Sequence, residues 1–246
     1  MKDAKTQSQI TYDKLAPNYR KVSEEKQDYL KTIDNLIVTI LGKADSIVDL
    51  GSGDGVHISK LANSLQVKKV LLVDNSDEML ILSRKIPKIK AVKSSIVDIN
   101  SSDRFDVVTC LWNVLGHVEP YDNIRKTLVN IDQNLLKNGG WFFLDVNNIY
   151  NAKSYGTFQV IQNIVKDILK SAYSAYYKEE YIKFKKLVSG EDVEMKVHFF
   201  GPMEVEGYLK GTRLRVFRKY YINYNSGDIE KCFWRGQIFY VIKKYD

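Results

Sequence analysis

Three glycines at alternate positions, Gly51, Gly53 and Gly55, follow the apolar run Ser46-Ile47-Val48-Asp49-Leu50. Nineteen positions beyond Gly55 an acid, Asp74, ends a second apolar run, Val70-Leu71-Leu72-Val73. A glycine-rich turn between a strand and a helix lets backbone approach a ligand closely. It also aims unpaired N–H groups and a helix dipole at any anion there. An acid at the end of the next strand is placed to accept hydrogen bonds from a ribose. Together these features imply a nucleoside-bearing cofactor lying across the mouths of two neighbouring parallel strands. The spacing is G-x-G-x-G rather than the G-x-G-x-x-G of dinucleotide enzymes, so it points to a cofactor without naming it.

Other side chains could act on a bound molecule. His117 follows the apparent fourth strand at the sheet edge, where it is either a base for a proton-bearing nucleophile or a structural histidine capping the next helix. His57 sits in the first turn after the glycine loop, and His198 alternates with Val197 and Phe199. Three isolated histidines and two cysteines without partners at ligand spacing give no metal site. Asp145, Asn147 and Asn148 end the fifth strand, where a substrate-binding polar group belongs. Tyr155, with Tyr173, Tyr176 and Tyr177, offers either an aromatic wall or core.

The elements that must position these residues alternate. A helix from about Glu24 to Leu41, with Ser23 as its N-cap and Gly42 as its stop, precedes the first strand. Strands near 46–50, 69–74, 89–94, 105–111 and 140–146 are separated by helices near 55–65, 77–86 and 121–136. That pattern predicts an α/β fold with an open, mostly parallel sheet covered on both faces, its ligand beyond the carboxyl ends of the strands. After residue 150 the pattern breaks. One amphipathic helix over 155–173, with Phe158, Ile161, Val165 and Ile168 on a stripe, leads to two β-rich runs, 181–188 and 193–200, joined by the turn Ser189-Gly190-Glu191-Asp192. A short helix near 203–211 and strands near 213–222 and 236–244 close the chain. The whole, 1–246, reads as a single domain in which residues 150–200 form an insertion over the ligand edge.

Composition is that of a soluble globular protein, with 44% apolar and 27% charged residues. Nothing in it suggests a bilayer span or a signal peptide, and both cysteines read as reduced thiols, so a cytoplasmic location and no membrane partner are expected. Charge is uneven: residues 1–149 carry 20 basic and 19 acidic side chains, and the remainder 17 and 11. Aromatics follow the same skew, 9 against 20.

These motifs resemble those of the class I S-adenosylmethionine-dependent methyltransferases over nearly the whole chain. Val48-Asp49-Leu50-Gly51-Ser52-Gly53-Asp54-Gly55 is similar to that family's first motif, and Asp74 to its ribose-binding acid. Phe105–Leu111, followed by Trp112-Asn113-Val114-Leu115-Gly116-His117-Val118, resembles the fourth-strand motif, and 138–145 the fifth strand. The Leu115-Gly116-His117 turn and strand-rich insertion look most like small-molecule members, including those acting on amino sugars. The resemblance implies a Rossmann-like sheet of seven strands with an antiparallel C-terminal hairpin, and a cap built from a helix and β-rich runs. S-adenosylmethionine is the implied cofactor. It would be held by the backbone of Gly51, Ser52, Gly53 and Gly55, by Asp74 at the ribose, and by Asn75 and Met79 at the adenine, with Leu111 nearby. Tyr12 and Tyr19 resemble N-terminal tyrosines that close over the cofactor, making 1–42 a lid. Where the family often has an adenine-binding acid, Ser95 stands here, with Asp98 three residues on, and Ile96 offers its backbone. His117 is the implied catalytic residue, and Trp112, Asn113, Asn147, Asn148 and Tyr155 the substrate side.

The expected activity is methyl transfer to nitrogen or oxygen of a small molecule of the sugar or amine class. A second expectation is an RNA or tRNA methyltransferase using the basic C-terminal part, where Arg213, Arg215 and Lys219 alternate along a strand. A third is a catalytically silent S-adenosylmethionine-binding partner subunit. Acceptor identity and oligomeric state are open at this point.

Overall fold

The computed structural model of the chain describes residues 5–87, 89–172, 181–188 and 191–246. Its centre is a mixed sheet. Five strands, β1 (Ser46–Leu50), β2 (Lys69–Asp74), β3 (Lys90–Lys93), β4 (Phe105–Cys110) and β5 (Leu136–Val146), run parallel. Helices α4 (Val56–Ser64), α5 (Asp77–Ser83) and α6 (Asp122–Asn130) supply crossovers. The insertion contains a hairpin, β6 (Ile182–Val188) with β7 (Glu191–Val197), paired as a separate two-stranded sheet. The chain ends with α9 (Glu204–Tyr208), β8 (Leu214–Ile222), β9 (Ile229–Glu230) and β10 (Gln237–Lys244). The central order is β3-β2-β1-β4-β5-β10-β8-β9, with β10 and β8 antiparallel to their neighbours. The seven expected strands are present, and the two-residue β9 adds a short eighth at the edge.

Period-two alternation in the strands sorts the core into two layers. Val48, Val108, Phe142, Leu144 and Tyr240 face Ile124 and Leu128 of α6 and Val205 of α9. Ile47, Leu72, Val107, Phe143 and Phe239 face the opposite layer, α3 (Gln27–Leu41) and α4. Tyr29, Ile33 and Ile37, four residues apart, form the buried stripe of α3. Gly42, at φ 65, ends that helix as expected. Its start differs. Ser23 belongs to a separate short helix, α2 (Tyr19–Glu24), and spends its hydroxyl on the Arg20 carbonyl, so α3 begins at Gln27 without a side-chain cap. The helix expected over 121–136 ends instead in a π-helical turn, Ile131–Leu135.

Before α2 lies α1 (Gln7–Leu15), closed at its N-terminus by a reciprocal Thr6–Gln9 capping box. In the insertion, the helix expected over 155–173 is α8 (Thr157–Ala172), and Gly156 at φ 84 separates it from a short preceding helix, α7 (Ala152–Tyr155). On the expected stripe Phe158 is 73% exposed and Ile161 and Val165 are also exposed, while the side chain of Ile168 lies outside those described. Val160 is buried instead. The hairpin leans on both sides of the ligand edge. Gln7 and Thr11 of α1 each donate to the Glu194 carbonyl (3.0 and 3.1 Å), and the His198 N–H donates to the Gly116 carbonyl at 2.7 Å. No described helix is long and apolar enough to cross a membrane.

Candidate active site

The glycine loop takes its shape from positive backbone angles at Gly51 (φ 73), Gly53 (φ 55) and Gly55 (φ 76). A β-carbon on Gly51 would lie 2.4 Å from Cγ1 of Val114, and one on Gly53 2.7 Å from the Tyr19 hydroxyl. The loop is anchored to the end of β2. The N–H groups of Gly51 and Ser52 donate to the Val73 carbonyl, and Ser52 Oγ donates to the Asp49 carbonyl.

Asp74 closes this corner. Its Oδ2 accepts the Gly53 N–H at 2.8 Å and its Oδ1 the Ser76 N–H at 2.9 Å. Burial of the carboxyl outweighs those bonds and pushes its pKa up to about 6. Asp74 and Asn75 line a cavity of about 100 Å³ with Gly51, Gly53, Ser95 and Ile96. Tyr12, Tyr19, Trp112 and His117 complete its opposite wall. Asp98 is exposed and is not part of this lining, so Ser95 and Ile96 hold the third-strand position. Sequence reasoning missed Thr6, Ser8, Val97, Val114, Val118 and Glu119 on the same walls. Glu119 lies two residues after His117 and pairs with Lys196 of β7 at 2.8 Å. A charged residue beside the histidine turn was its one available signal.

The two tyrosines meet edge-on at 6.5 Å, and Tyr19 meets Trp112 the same way at 5.6 Å. Burial, with the Asp74 charge adding to it, raises both phenol pKa values, so both rings stay neutral donors. Tyr12 reaches His117, its hydroxyl 3.3 Å from Nε2. The imidazole also hydrogen-bonds the Lys196 backbone, but burial dominates and drops its pKa to about 4. Burial thus holds the His117 imidazole neutral near pH 7, and a tautomer with Nδ1 protonated leaves Nε2 to accept from Tyr12. A proton-bearing group entering here has to displace Tyr12 from it.

A second cavity, of about 590 Å³, lies beyond Tyr19 and Trp112, which line both. Ser52, Leu111, Asp49 and Arg20 reach it. His57 lines it too, bonded to Asp34 at 2.8 Å rather than facing open solvent; burial opposes its charge, yet the Asp34 bond and charge raise its pKa overall. Arg20 pairs with Asp54 at 3.1 Å.

Several expected contacts lie elsewhere. Gly55 faces Leu72, Ile86 and Ser83, where its missing side chain lets α4 and α5 approach the sheet. Met79 is wholly buried in the core and lines neither cavity. Asn148 is also buried, its amide donating to the Phe233 and Gly236 carbonyls and its Oδ1 accepting the Tyr150 N–H. With both amide hydrogens spent and the side chain wholly buried outside both cavities, it is not placed to meet a substrate. Asn113 is buried with Oδ1 on the Asn147 N–H, and Asn147 is joined through its carbonyl to Phe200. Tyr155 stacks on Phe199 at 5.3 Å in the insertion. His198 is buried against Glu204 (2.7 Å) and the Tyr121 ring. Tyr173, Tyr176 and Tyr177 lie outside the described residues. The basic residues around β8 are paired within the fold while staying near the surface, Arg213 to Asp132 at 3.2 Å, Lys219 to Glu206 at 2.7 Å, and the exposed Arg215 to the Thr212 and Leu214 carbonyls. No group of side chains among the described residues could hold a metal ion.

An adenosyl ligand fits what is present. Asp74 supplies an acceptor at the end of β2, and Ile96, Val97, Val114 and Val118 supply apolar walls. The Trp112 indole N–H is buried and lacks a partner among the described residues, as a donor waiting for a ligand would be.

Comparison with known proteins agrees. Residues 48–142 match a family model described as a methyltransferase domain. An uncharacterised protein of Methanocaldococcus jannaschii is 27% identical over 231 residues, 92% of this chain and 83% of that one. The dTDP-4-amino-2,3,4,6-tetradeoxy-D-glucose N,N-dimethyltransferase of Saccharopolyspora spinosa is 28% identical over 116 residues, 45% of this chain and 46% of that one. Among solved structures, an S-adenosylmethionine-dependent methyltransferase from Clostridium acetobutylicum superposes with a TM-score of 0.67 at 19% identity, covering 96% of this chain and 99% of that one.

Proposed function

We propose that this chain, a class I S-adenosylmethionine-dependent methyltransferase, moves a methyl group to a nitrogen or oxygen of a small molecule of the sugar or amine class. The observation that carries this reading is the enclosure of the cofactor cavity. Tyr12 and Tyr19 cover it from the N-terminal helices, and the β6–β7 hairpin braces both α1 and the His117 turn. Such walls suit a small acceptor better than a polymer. The partial likeness to an amino-sugar N,N-dimethyltransferase supports the same class. An RNA acceptor draws less support, because Arg213 and Lys219 are already paired within the fold.

The bound cofactor supplies a sulfonium methyl already activated for in-line displacement. What the chain must add is alignment and exclusion of water. Gly51 and Gly53 would bring backbone close to the ligand, Asp74 would hold the ribose, and Ser95 and Ile96 would border the adenine. His117 Nε2 would accept a hydrogen bond from the acceptor once Tyr12 yields it, orienting the lone pair toward the methyl. Residues 1–42 act in this reading as a lid and 150–200 as a substrate cap.

Methyl-labelled S-adenosylmethionine incubated with the protein and a cell extract, then separated into small molecules and RNA, tests the reading. Label among small molecules is expected, and its mass identifies the product. Label confined to RNA would overturn the acceptor class.

A further inference from the structure

The turn after β4 contains two consecutive left-handed residues that are not glycine, Trp112 (φ 68) and Asn113 (φ 56). For a bulky residue such as tryptophan this backbone is costly and persists only where the surroundings impose it. One carboxylate imposes it here. Asp145, at the end of β5 and 2% exposed, accepts the backbone N–H of Trp112 and, at 3.3 Å, that of Asn113 on Oδ1. Its Oδ2 accepts the Tyr29 hydroxyl at 2.6 Å. One of the pair, Trp112, lines the cofactor cavity, and the residues just after it add Val114, His117, Val118 and Glu119.

We propose that Asp145 is a positioning residue for cofactor binding: it pins the left-handed pair so that Trp112, Val114 and His117 face the cavity, and through Tyr29 it ties that wall to α3. This rests on the methyltransferase reading. Asp145 itself lines neither cavity, so it acts through the turn. Its charge is held against burial, which raises its pKa to about 6 despite the three donors. The titratable groups around it are Tyr29 from α3, His57 from α4, Cys110 from β4, and Tyr224 beyond β8, which packs on Tyr29 at 5.1 Å. Protonation would place a further donor where two N–H groups already point, and so loosen the pair.

The test uses the full chain and S-adenosylhomocysteine as the probe. In ¹⁵N-labelled protein the Trp112 and Asn113 amide protons should lie downfield and shift together as Asp145 titrates, and Asp145→Asn should abolish that shared titration. At pH 7.5, calorimetry should find binding about 10- to 100-fold weaker in Asp145→Ala, the range expected when one or two buried N–H groups lose their acceptor. Asp145→Asn keeps one acceptor oxygen for the pair and should stay within about threefold of wild type. A folded Asp145→Ala that binds the probe like wild type overturns the proposal, as do amides at 112 and 113 that ignore Asp145. If the alanine variant does not fold, the asparagine variant's amide spectrum still decides. A wild-type chain that does not bind the probe defeats the cofactor reading and the positioning role together. An intact amide titration would then mark Asp145 as a purely structural anchor.

Discussion

Replacing Gly51 with alanine separates two costs that the glycine loop avoids. At φ 73 an alanine sits in the left-handed region, which costs an L-residue about 1.5 kcal/mol. Its new β-carbon would also lie 2.4 and 2.5 Å from the two γ-carbons of Val114, against an ordinary contact of about 3.5–4.0 Å. Relieving that overlap in a packed turn costs about 2 kcal/mol. The sum, about 3.5 kcal/mol, lowers the melting temperature of a chain this size by about 7–14 °C. Gly139 provides the control: it has the same φ of 73, but a β-carbon there would meet nothing within 4 Å. Gly139→Ala should therefore lose only the backbone part, about 3–6 °C. Val114 lines the cofactor cavity, so Gly51→Ala should also bind S-adenosylhomocysteine about tenfold more weakly, one tenfold step being about 1.4 kcal/mol. Adding Val114→Ala should recover most of the overlap cost. The assays are thermal unfolding with and without S-adenosylhomocysteine. A Gly51→Ala protein as stable as Gly139→Ala, with unchanged affinity, would refute the close-approach reasoning.

His117→Ala should leave S-adenosylhomocysteine affinity within about twofold, while transfer to the acceptor slows about a hundredfold, the low end for a proton-accepting group; unchanged turnover would return the residue to a structural role. Asp74 carries a pKa raised to about 6, and a ribose bound through its ionised form favours the deprotonated state. Affinity should thus be flat above that pH and fall as pH drops through it, approaching about tenfold per unit, and Asp74→Asn should remove this dependence in calorimetric titrations. Lys244 is fully buried, with its ammonium donating to the Asp132 and Leu136 carbonyls and 3.5 Å from the Asp132 carboxylate. Asp132→Ala should cost about 3–5 kcal/mol in denaturant unfolding, because a buried charge loses its counterion, whereas Lys244→Met should cost less.

The sheet was legible because strand order follows from chemistry local in the sequence. Apolar runs of five or six residues, separated by amphipathic stretches, leave few arrangements other than a parallel sheet with crossover helices. Gly42 stopped its helix for the same local reason, a left-handed stop that glycine supplies. Ser23 failed as a cap because capping depends on where the preceding backbone goes. The short helix Tyr19–Glu24 had already claimed its hydroxyl. Gly156 falls one residue inside the helix expected over 155–173, because the apolar stripe that marks this helix begins only at Phe158 and does not fix its start; the φ of 84 at Gly156 sets that start at Thr157.

The site divides along the same line. Gly51, Gly53 and the strand-end acid Asp74, expected from residue type and spacing, line one cavity with Tyr12 and Tyr19, which the family resemblance implied. The polar residues ending β5 could not be sorted that way. Asp145, Asn147 and Asn148 look equivalent in sequence, three polar groups at the edge where a substrate belongs. Their fates are set by partners some 30 to 90 residues away: the Trp112 and Asn113 N–H groups for Asp145, and Gln237, Phe233 and Gly236 for Asn148. The exposed stripe on α8 makes the converse point. Phe158, Ile161 and Val165 fall at helical spacing, which fixes that they share a face but not that anything covers it. Periodicity reports which side chains travel together; only the tertiary neighbours decide whether a polar edge is a binding site or scaffolding, and whether an apolar face is core.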